Sequence, residues 1–110
     1  MKITSTEKYT LLTPEQEPIK TFLIELEKEY SGLKSAHLII DFSENINTTV
    51  QDLLLFLKIS TNHRENGTSF VIICKGIDID EIPDEINVVP TFEEAVDILE
   101  MDAIERDLGF

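Results

Sequence analysis

Polar side chains that could do chemistry cluster where apolar segments of this sequence end or begin. Asp41 and Lys75 each follow a short apolar run, while Thr48 and Thr49 come after a polar turn and open a second apolar segment. A buried strand followed by an exposed turn and a helix start is the unit at which open α/β sheets bind ligands. The sequence therefore predicts that a site, if present, lies at this edge of a sheet.

The pair Asp41 and Lys75 is also typical of phospho-receiver domains, which place an Asp and a Lys at strand ends. Those domains need a further acidic pair after their first strand to hold magnesium. Here the first strand ends in Leu12-Thr13-Pro14, so that interpretation fails. We expect Asp41 to cap the turn and Lys75 to be a surface charge. A small enzyme or ligand-binding domain that uses the cleft around Asp41, Thr48, Thr49 and Lys75 stays open as the rival class.

Candidate metal ligands are few. His37 and His63 are far apart in sequence, and neither has a ligand partner at helical spacing. Cys74 is the one cysteine and lies in an apolar run, which predicts an inert core thiol. Two His and one Cys argue against a zinc site, and we expect no cofactor. A single Cys excludes an internal disulfide and fits a reducing compartment, so we expect a cytoplasmic protein.

Charge is unevenly distributed along the 110 residues, which are the usual length of one domain. The net charge is −13; residues 78–110 carry twelve acids and one base, whereas residues 1–77 carry ten acids and eight bases. Such acidity repels phosphates, so we expect no nucleic-acid partner. The acidic third is either a solvated face or a surface for a basic protein. No apolar run approaches the roughly 18 residues of a membrane span, and no secretory signal is visible.

Strands and helices are predicted to alternate along the chain. Residues 2–13 read as a strand or a short hairpin, and a helix begins near Pro18 and ends at Gly32. A continuous apolar strand at 37–42 precedes a helix over about 48–62, with Thr48 and Gln51 forming a capping box. A second apolar strand covers 69–74. An irregular segment, a short strand at 87–89 and a last helix from Phe92 follow. This order predicts an α/β domain with a mainly parallel or mixed sheet of four to five strands, covered by about four helices.

That order, with these lengths, resembles the STAS domain, the fold of anti-sigma-factor antagonists. The run at 37–42 resembles the family's apolar strand that ends in Asp, and the segment 91–95 resembles its "T-x-E-E-A" helix opening. The segment Asn47-Thr48-Thr49-Val50 falls where the family has Asp-Ser-Ser-Gly or Asp-Ser-Thr-Gly. The resemblance spans residues 3–99, and residues 100–110 are an acidic amphipathic extension that continues the last helix.

The resemblance implies a non-catalytic regulatory protein that binds a protein partner. In the family, a kinase that is also an anti-sigma factor phosphorylates the second hydroxyl residue of the motif, and the unphosphorylated form binds that kinase. By position the acceptor would be Thr49, with Thr48 beside it. Asn47 replaces the family's acid and Val50 its glycine, which implies a degenerate phosphoswitch with an altered kinase relationship. Helix capping is the simpler role for both threonines.

Two apolar groups of residues are candidate partner contacts in addition to Asn47. Leu55 and Ile59 are predicted to lie opposite a core stripe of Val50, Leu53, Leu54 and Leu57. In the last helix the predicted core stripe is Phe92, Ala95, Val96, Leu99 and Ala103. Met101, Ile104 and Leu108 fall in another sector, and Phe110 adds an apolar terminus. We expect this C-terminal segment to serve self-association or a basic partner.

The final residues also resemble the tails of short bacterial proteins, some of which carry a ribonuclease Z label. That nuclease needs a His-x-His-x-Asp-His metal cluster, which two distant histidines cannot supply. The chain is therefore not that enzyme. An accessory partner of such an RNA-processing system is an alternative function, as is a small ligand- or anion-binding domain.

Overall fold

A computed structural model of the chain describes residues 1–44 and 47–109. Two short 3-10 turns, at Tyr30–Gly32 and Ile79–Glu81, supplement the regular elements. The strands are β1 (Lys2–Ser5), β2 (Thr10–Thr13), β3 (Leu38–Asp41), β4 (Phe70–Ile73) and β5 (Asn87–Val89). The helices are α1 (Ile19–Glu29), α2 (Val50–Leu54), α3 (Leu57–Glu65) and α4 (Phe92–Asp107).

One five-stranded sheet organises the fold. Its strands follow the chain in the order β1-β2-β3-β4-β5; β1 is antiparallel to β2, and the other neighbours are parallel. The predicted α/β class is confirmed, and the architecture is consistent with a STAS-like fold. The N-terminal segment is the hairpin rather than one strand. Strand β1 is exposed along its whole length, as an edge strand permits.

The two faces of the sheet are covered unequally. Helices α1, α2 and α3 lie on one face, over alternate residues of the strands such as Leu38, Ile40 and Ile72. Helix α4 packs on the other face, where Ala95 and Leu99 contact Ile39 and Val71. Burial on both faces is why β3 and β4 are continuous apolar runs instead of alternating ones.

The predicted helix over 48–62 is two helices, which changes the face that each residue presents. The amides of Leu55 and Phe56 bond to carbonyls three residues back, at 3.3 and 3.0 Å, so the chain tightens between α2 and α3. Phe56 is thereby fully buried, with its ring 5.6 Å from that of Phe42. The prediction that Leu54 belongs to the core is wrong, because this side chain is 37% exposed. Burial of the larger aromatic side chain outweighs burial of the leucine.

Two further expectations need correction. The capping box is formed by Thr49 and Asp52 instead of Thr48 and Gln51, because α2 begins one residue later than predicted. In α4, Phe92 and Ala103 are exposed and are not core residues. Phe92 sits at the helix start, where its ring meets Tyr9 edge-on at 5.6 Å between centroids. The helix itself is continuous through residue 100.

Candidate functional site

Thr49 is the exposed residue that starts α2, directly beyond the carboxyl ends of the parallel strands. Its side-chain oxygen accepts a hydrogen bond from the Asp52 amide at 3.2 Å, and its own amide donates to the Asp52 carboxylate at 3.0 Å. These two bonds satisfy helix-terminal N–H groups that otherwise have no partner. The capping role is therefore observed, and the hydroxyl of Thr49 is at the same time open to solvent.

Thr48 is placed differently from its neighbour. It is half-buried, and its side chain lies near the thiol of Cys74, which follows β4 and donates to the Lys75 carbonyl at 3.8 Å. Burial raises the pKa of the Cys74 thiol, and the nearby Thr48 side chain offsets part of that rise. Cys74 is only 4% exposed, as expected for a core residue. A raised pKa also leaves little reactive thiolate near pH 7, which agrees with the predicted inert thiol. Of the two threonines, Thr49 is the accessible one.

Among the polar residues at this edge of the sheet, Asp41 has a structural partner. One carboxylate oxygen of Asp41 accepts the Ser43 amide at 2.8 Å, so Asp41 caps the turn as expected. Lys75 is exposed, as predicted for a surface charge, and Asn47 is also exposed in the turn. A catalytic or ligand-binding cluster here would require these groups to converge, and one carboxylate oxygen of Asp41 is engaged in its own turn.

A shallow cleft of about 460 Å³ lies between this turn and the start of α1. Its wall combines the amino-terminal end of α1, which has no side-chain cap, with the polar turn before α2. The lining residues are Pro18, Ile19, Lys20, Glu44, Asn47, Thr48 and Asp52.

Exposed aliphatic side chains lie at the end of α2. Leu55 is 40% exposed, which agrees with its predicted position outside the core, and Leu54 adjoins it. Ile59 was expected to be exposed on the same face, but it is half-buried and packs against the main core. The break between α2 and α3 rotates Ile59 inward. Leu55 and Ile59 nevertheless line one groove of about 340 Å³, together with Tyr30 and Lys58.

Both histidines are held in hydrogen bonds away from this edge. His63 is fully buried; its Nε2 lies 2.7 Å from the Ala36 carbonyl and its Nδ1 lies 2.7 Å from the Tyr30 hydroxyl. The Nδ1 of His37 accepts the Ser69 amide at 3.0 Å. Burial lowers the pKa of both imidazoles, so each is neutral near pH 7 and structural in role.

A cluster of three carboxylates around the amino group of Met1 was missed by sequence reasoning. The nitrogen lies 2.9 Å from Glu17, 3.0 Å from Glu25 and 3.3 Å from Glu15. Hydrogen bonds with Glu17 and Glu25 raise the pKa of the amino group to about 10. The bond to the amino group lowers the pKa of Glu17 to about 2. No sequence pattern predicts this cluster, because its members come from three segments, the start of the edge strand, the loop before α1 and α1 itself, that meet only in the fold.

The predicted C-terminal contact residues do lie on the surface. Met101, Ile104 and Leu108 are each more than half exposed, and Phe110 lies outside the described residues. Within residues 1–44 and 47–109 there is no group of three or more His, Cys, Asp and Glu side chains that could hold a metal ion. No helix in this described part is long and apolar enough to cross a membrane. In comparisons with known proteins, no family model and no curated protein matches this chain.

Proposed function

We propose that this protein is a non-catalytic regulatory domain, similar to the anti-sigma-factor antagonists, that binds another protein through the surface around the start of α2. The observation that carries the proposal is the position of Thr49. An exposed hydroxyl stands at the start of α2, beyond the carboxyl edge of a parallel sheet, and the exposed Leu54 and Leu55 lie at the other end of the same short helix. A polar, modifiable group on the same short helix as two exposed aliphatic side chains suits a contact that a charge can break.

The surroundings of Thr49 indicate how a phosphate would act. The carboxylate of Asp52 lies against the Thr49 amide, so a phosphate on the hydroxyl would place two negative groups side by side. Helix α2 has only five residues and offers little dipole to compensate. We therefore expect phosphorylation to weaken the capping box and to add charge at the start of α2. The added charge opposes binding of a partner that buries this surface.

The side chains also distinguish the two candidate acceptors. Thr48 is half-buried near Cys74, whereas Thr49 is exposed. A kinase must reach the hydroxyl, so the proposal assigns the switch to Thr49.

Two measurements on the protein purified from its own cell test this proposal. Phosphopeptide mapping by mass spectrometry is expected to find a modified fraction at Thr49 and none at Thr48. Affinity capture with the wild-type chain should recover a protein that Thr49→Glu does not recover. Thr49→Ala is the matched control, since it also loses the cap but adds no charge. Recovery of the same protein by Thr49→Glu and Thr49→Ala would refute the proposal.

The cleft beside Thr48 supports a second candidate, a domain that binds a small anion. The uncapped start of α1 and the Lys20 side chain line that cleft, opposite the carboxylates of Glu44 and Asp52. Backbone N–H groups at a helix start attract anions. Under this alternative, inorganic phosphate raises the melting temperature of the wild-type chain but not of Lys20→Glu, and Lys28→Glu on the far end of α1 behaves as wild type. No shift with phosphate would exclude the anion site.

A further inference from the structure

Helix α4 has a second apolar face that its own domain leaves uncovered. Met101, Ile104 and Leu108 are 56%, 59% and 64% exposed. Their spacing of three and four residues places them in one strip along the helix. The half-buried Ile98 continues the strip toward the sheet. The opposite side of the same helix, with Ala95 and Leu99, already packs on the sheet, so the strip has no place left in this fold.

The strip is surrounded by negative charge. Helix α4 carries seven acids and one base, and at 100° per residue the exposed Asp97 and Glu105 fall within the sector of the strip. Glu105 and Asp107 also lie in the last turns, where the helix dipole is negative and carboxylates destabilise the helix. The stability of α4 alone therefore does not account for these acids. A cationic partner would offset the unfavourable interaction between these carboxylates and the negative end of the helix dipole.

A second copy of the chain does not fit this strip. Two α4 helices packed face to face through the strip would bring Asp97 and Glu105 of one helix against the same acids of the other, and such like-charge contacts oppose association. The strip from Ile98 to Leu108 is roughly 15 Å long and about 10 Å wide by helix geometry. Its area is far below the roughly 800 Å² per subunit that a standard interface buries. A single helix laid along the strip matches its length and width.

We propose that the apolar strip of α4 binds a basic amphipathic helix from another protein. Aliphatic side chains of that helix would cover Met101, Ile104 and Leu108, and its Lys or Arg side chains would meet Asp97 and Glu105. This surface belongs to the helix on one face of the sheet, whereas Thr49 belongs to α2 on the other face. The inference is therefore independent of the switch at Thr49, and each can fail without the other.

The test uses a fluorescein-labelled peptide of Leu and Lys, arranged as an amphipathic helix of roughly 20 residues so that it can be helical. Binding to the full chain is followed by fluorescence anisotropy. Two control peptides have the same length: one has the same composition in scrambled order, and the other has Glu in place of Lys. The amphipathic Leu/Lys peptide is expected to bind at least ~10-fold more tightly than either control.

Variants of the chain locate the binding surface. Met101→Asp with Ile104→Asp is expected to weaken binding of the Leu/Lys peptide by ~10-fold or more. Ile24→Asp, at an equally exposed isoleucine on α1, is the matched control and should bind as wild type. The double variant Asp97→Asn with Glu105→Gln should weaken binding and reduce its dependence on salt. If Met101→Asp with Ile104→Asp does not fold, this charge-neutralising double variant still tests whether the peptide binds at the strip.

Several results would overturn the proposal. Equal affinity for the scrambled peptide would show that charge alone drives binding. Unchanged affinity of Met101→Asp with Ile104→Asp would place the contact elsewhere. Light scattering that finds a wild-type dimer, made monomeric by this same substitution, would assign the strip to self-association.

Discussion

The imidazole of His63 is enclosed in the core and uses both ring nitrogens. Because the Ala36 carbonyl can only accept, Nε2 carries the proton and Nδ1 accepts from the Tyr30 hydroxyl. The ring also meets Phe70 edge-on at 5.9 Å. The imidazole therefore joins α3, the 3-10 turn after α1 and the segment that enters β3. Its neutral form is the one that this arrangement stabilises.

The neutral His63 makes stability depend on pH. Burial lowers its folded-state pKa from the ordinary 6.5, against the opposing effect of the hydrogen bond with the Ala36 carbonyl and with a smaller lowering by His37, so the unfolded chain binds more protons. Stability is therefore complete above about pH 6.5 and falls as the pH drops toward the folded-state pKa, by at most about 1.4 kcal/mol per pH unit. Chemical denaturation at several pH values measures this slope.

The contribution of His63 is separable from that of His37, whose pKa is also lowered by burial and by Arg106, against the opposing charge of Asp102. His63→Gln should be less stable at pH 7 and should show a shallower slope below pH 6.5. His37→Gln is the comparison for the second histidine. A slope that neither substitution changes would show that these imidazoles do not titrate with unfolding.

The two threonine caps allow a matched comparison at the residue scale. Thr49 caps α2 and Thr91 caps α4, each accepting from an amide three residues on at 3.2 Å. Loss of such a cap costs about 1 kcal/mol. Thr49→Ala and Thr91→Ala should each lower the free energy of unfolding by about that amount in urea denaturation, and the serine variants should lose much less. A neutral Thr49→Ala would mean that the capping box does not contribute to stability.

At the scale of elements, the junction of α2 and α3 is where sequence patterns stop being sufficient. Apolar residues at 50, 53, 54 and 57 predict one helix with Leu54 inside, whereas the structure buries Phe56 and exposes Leu54. Burial of Leu54 and burial of Phe56 are both compatible with helical spacing. Phe56 is the buried residue because its ring packs in a cluster with Phe22 and Phe42, which belong to other segments of the chain. Helix existence could be predicted from periodicity. The phase of the helix could not, since it is set by tertiary packing.

Substitutions in α2 separate its buried and exposed sides. Leu53 is completely buried, so Leu53→Ala should cost about 2–5 kcal/mol of stability. Leu55 is 40% exposed, so Leu55→Asp should change stability by less than about 0.5 kcal/mol. Urea denaturation measures both values. A large loss in Leu55→Asp would place Leu55 in the core and remove it from the proposed contact surface.

At the scale of the whole molecule, the alternation of strands and helices was enough to predict the sheet and its helical cover. Continuous apolar runs predicted β3 and β4, which are buried on both faces, and turn residues predicted the limits of α1. A helix start at Thr48 or Thr49 was predicted from the sequence, and Thr49 does cap α2. Its partner Asp52 and the half-buried position of Thr48 near Cys74 were not predicted, because they depend on the residue at which α2 starts.

The carboxylate cluster at Met1 links the edge strand to α1, and it should stabilise the fold in a defined pH range. The amino group has its pKa raised from 8.0 to about 10, so its contribution is complete below pH 8 and is lost as the pH rises through about 10. The Glu17 pKa is lowered from 4.5 to about 2, so its contribution is lost as the pH falls below 4.5. Between pH 7 and 11, the melting temperature of the wild-type chain should therefore fall more than that of Glu17→Gln, which lacks the main partner of the amino group. Parallel curves would show that the cluster does not contribute.

The central claim is that a charge at Thr49 controls binding of a protein partner to the surface around α2. The most direct measurement is the dissociation constant of the captured partner for three forms of the chain: wild type, Thr49→Ala and Thr49→Glu, each first shown to be folded by circular dichroism. We predict that Thr49→Ala binds within a few-fold of wild type and that Thr49→Glu binds at least ~10-fold more weakly, a difference of about 1.4 kcal/mol. Equal affinities for Thr49→Ala and Thr49→Glu would contradict it.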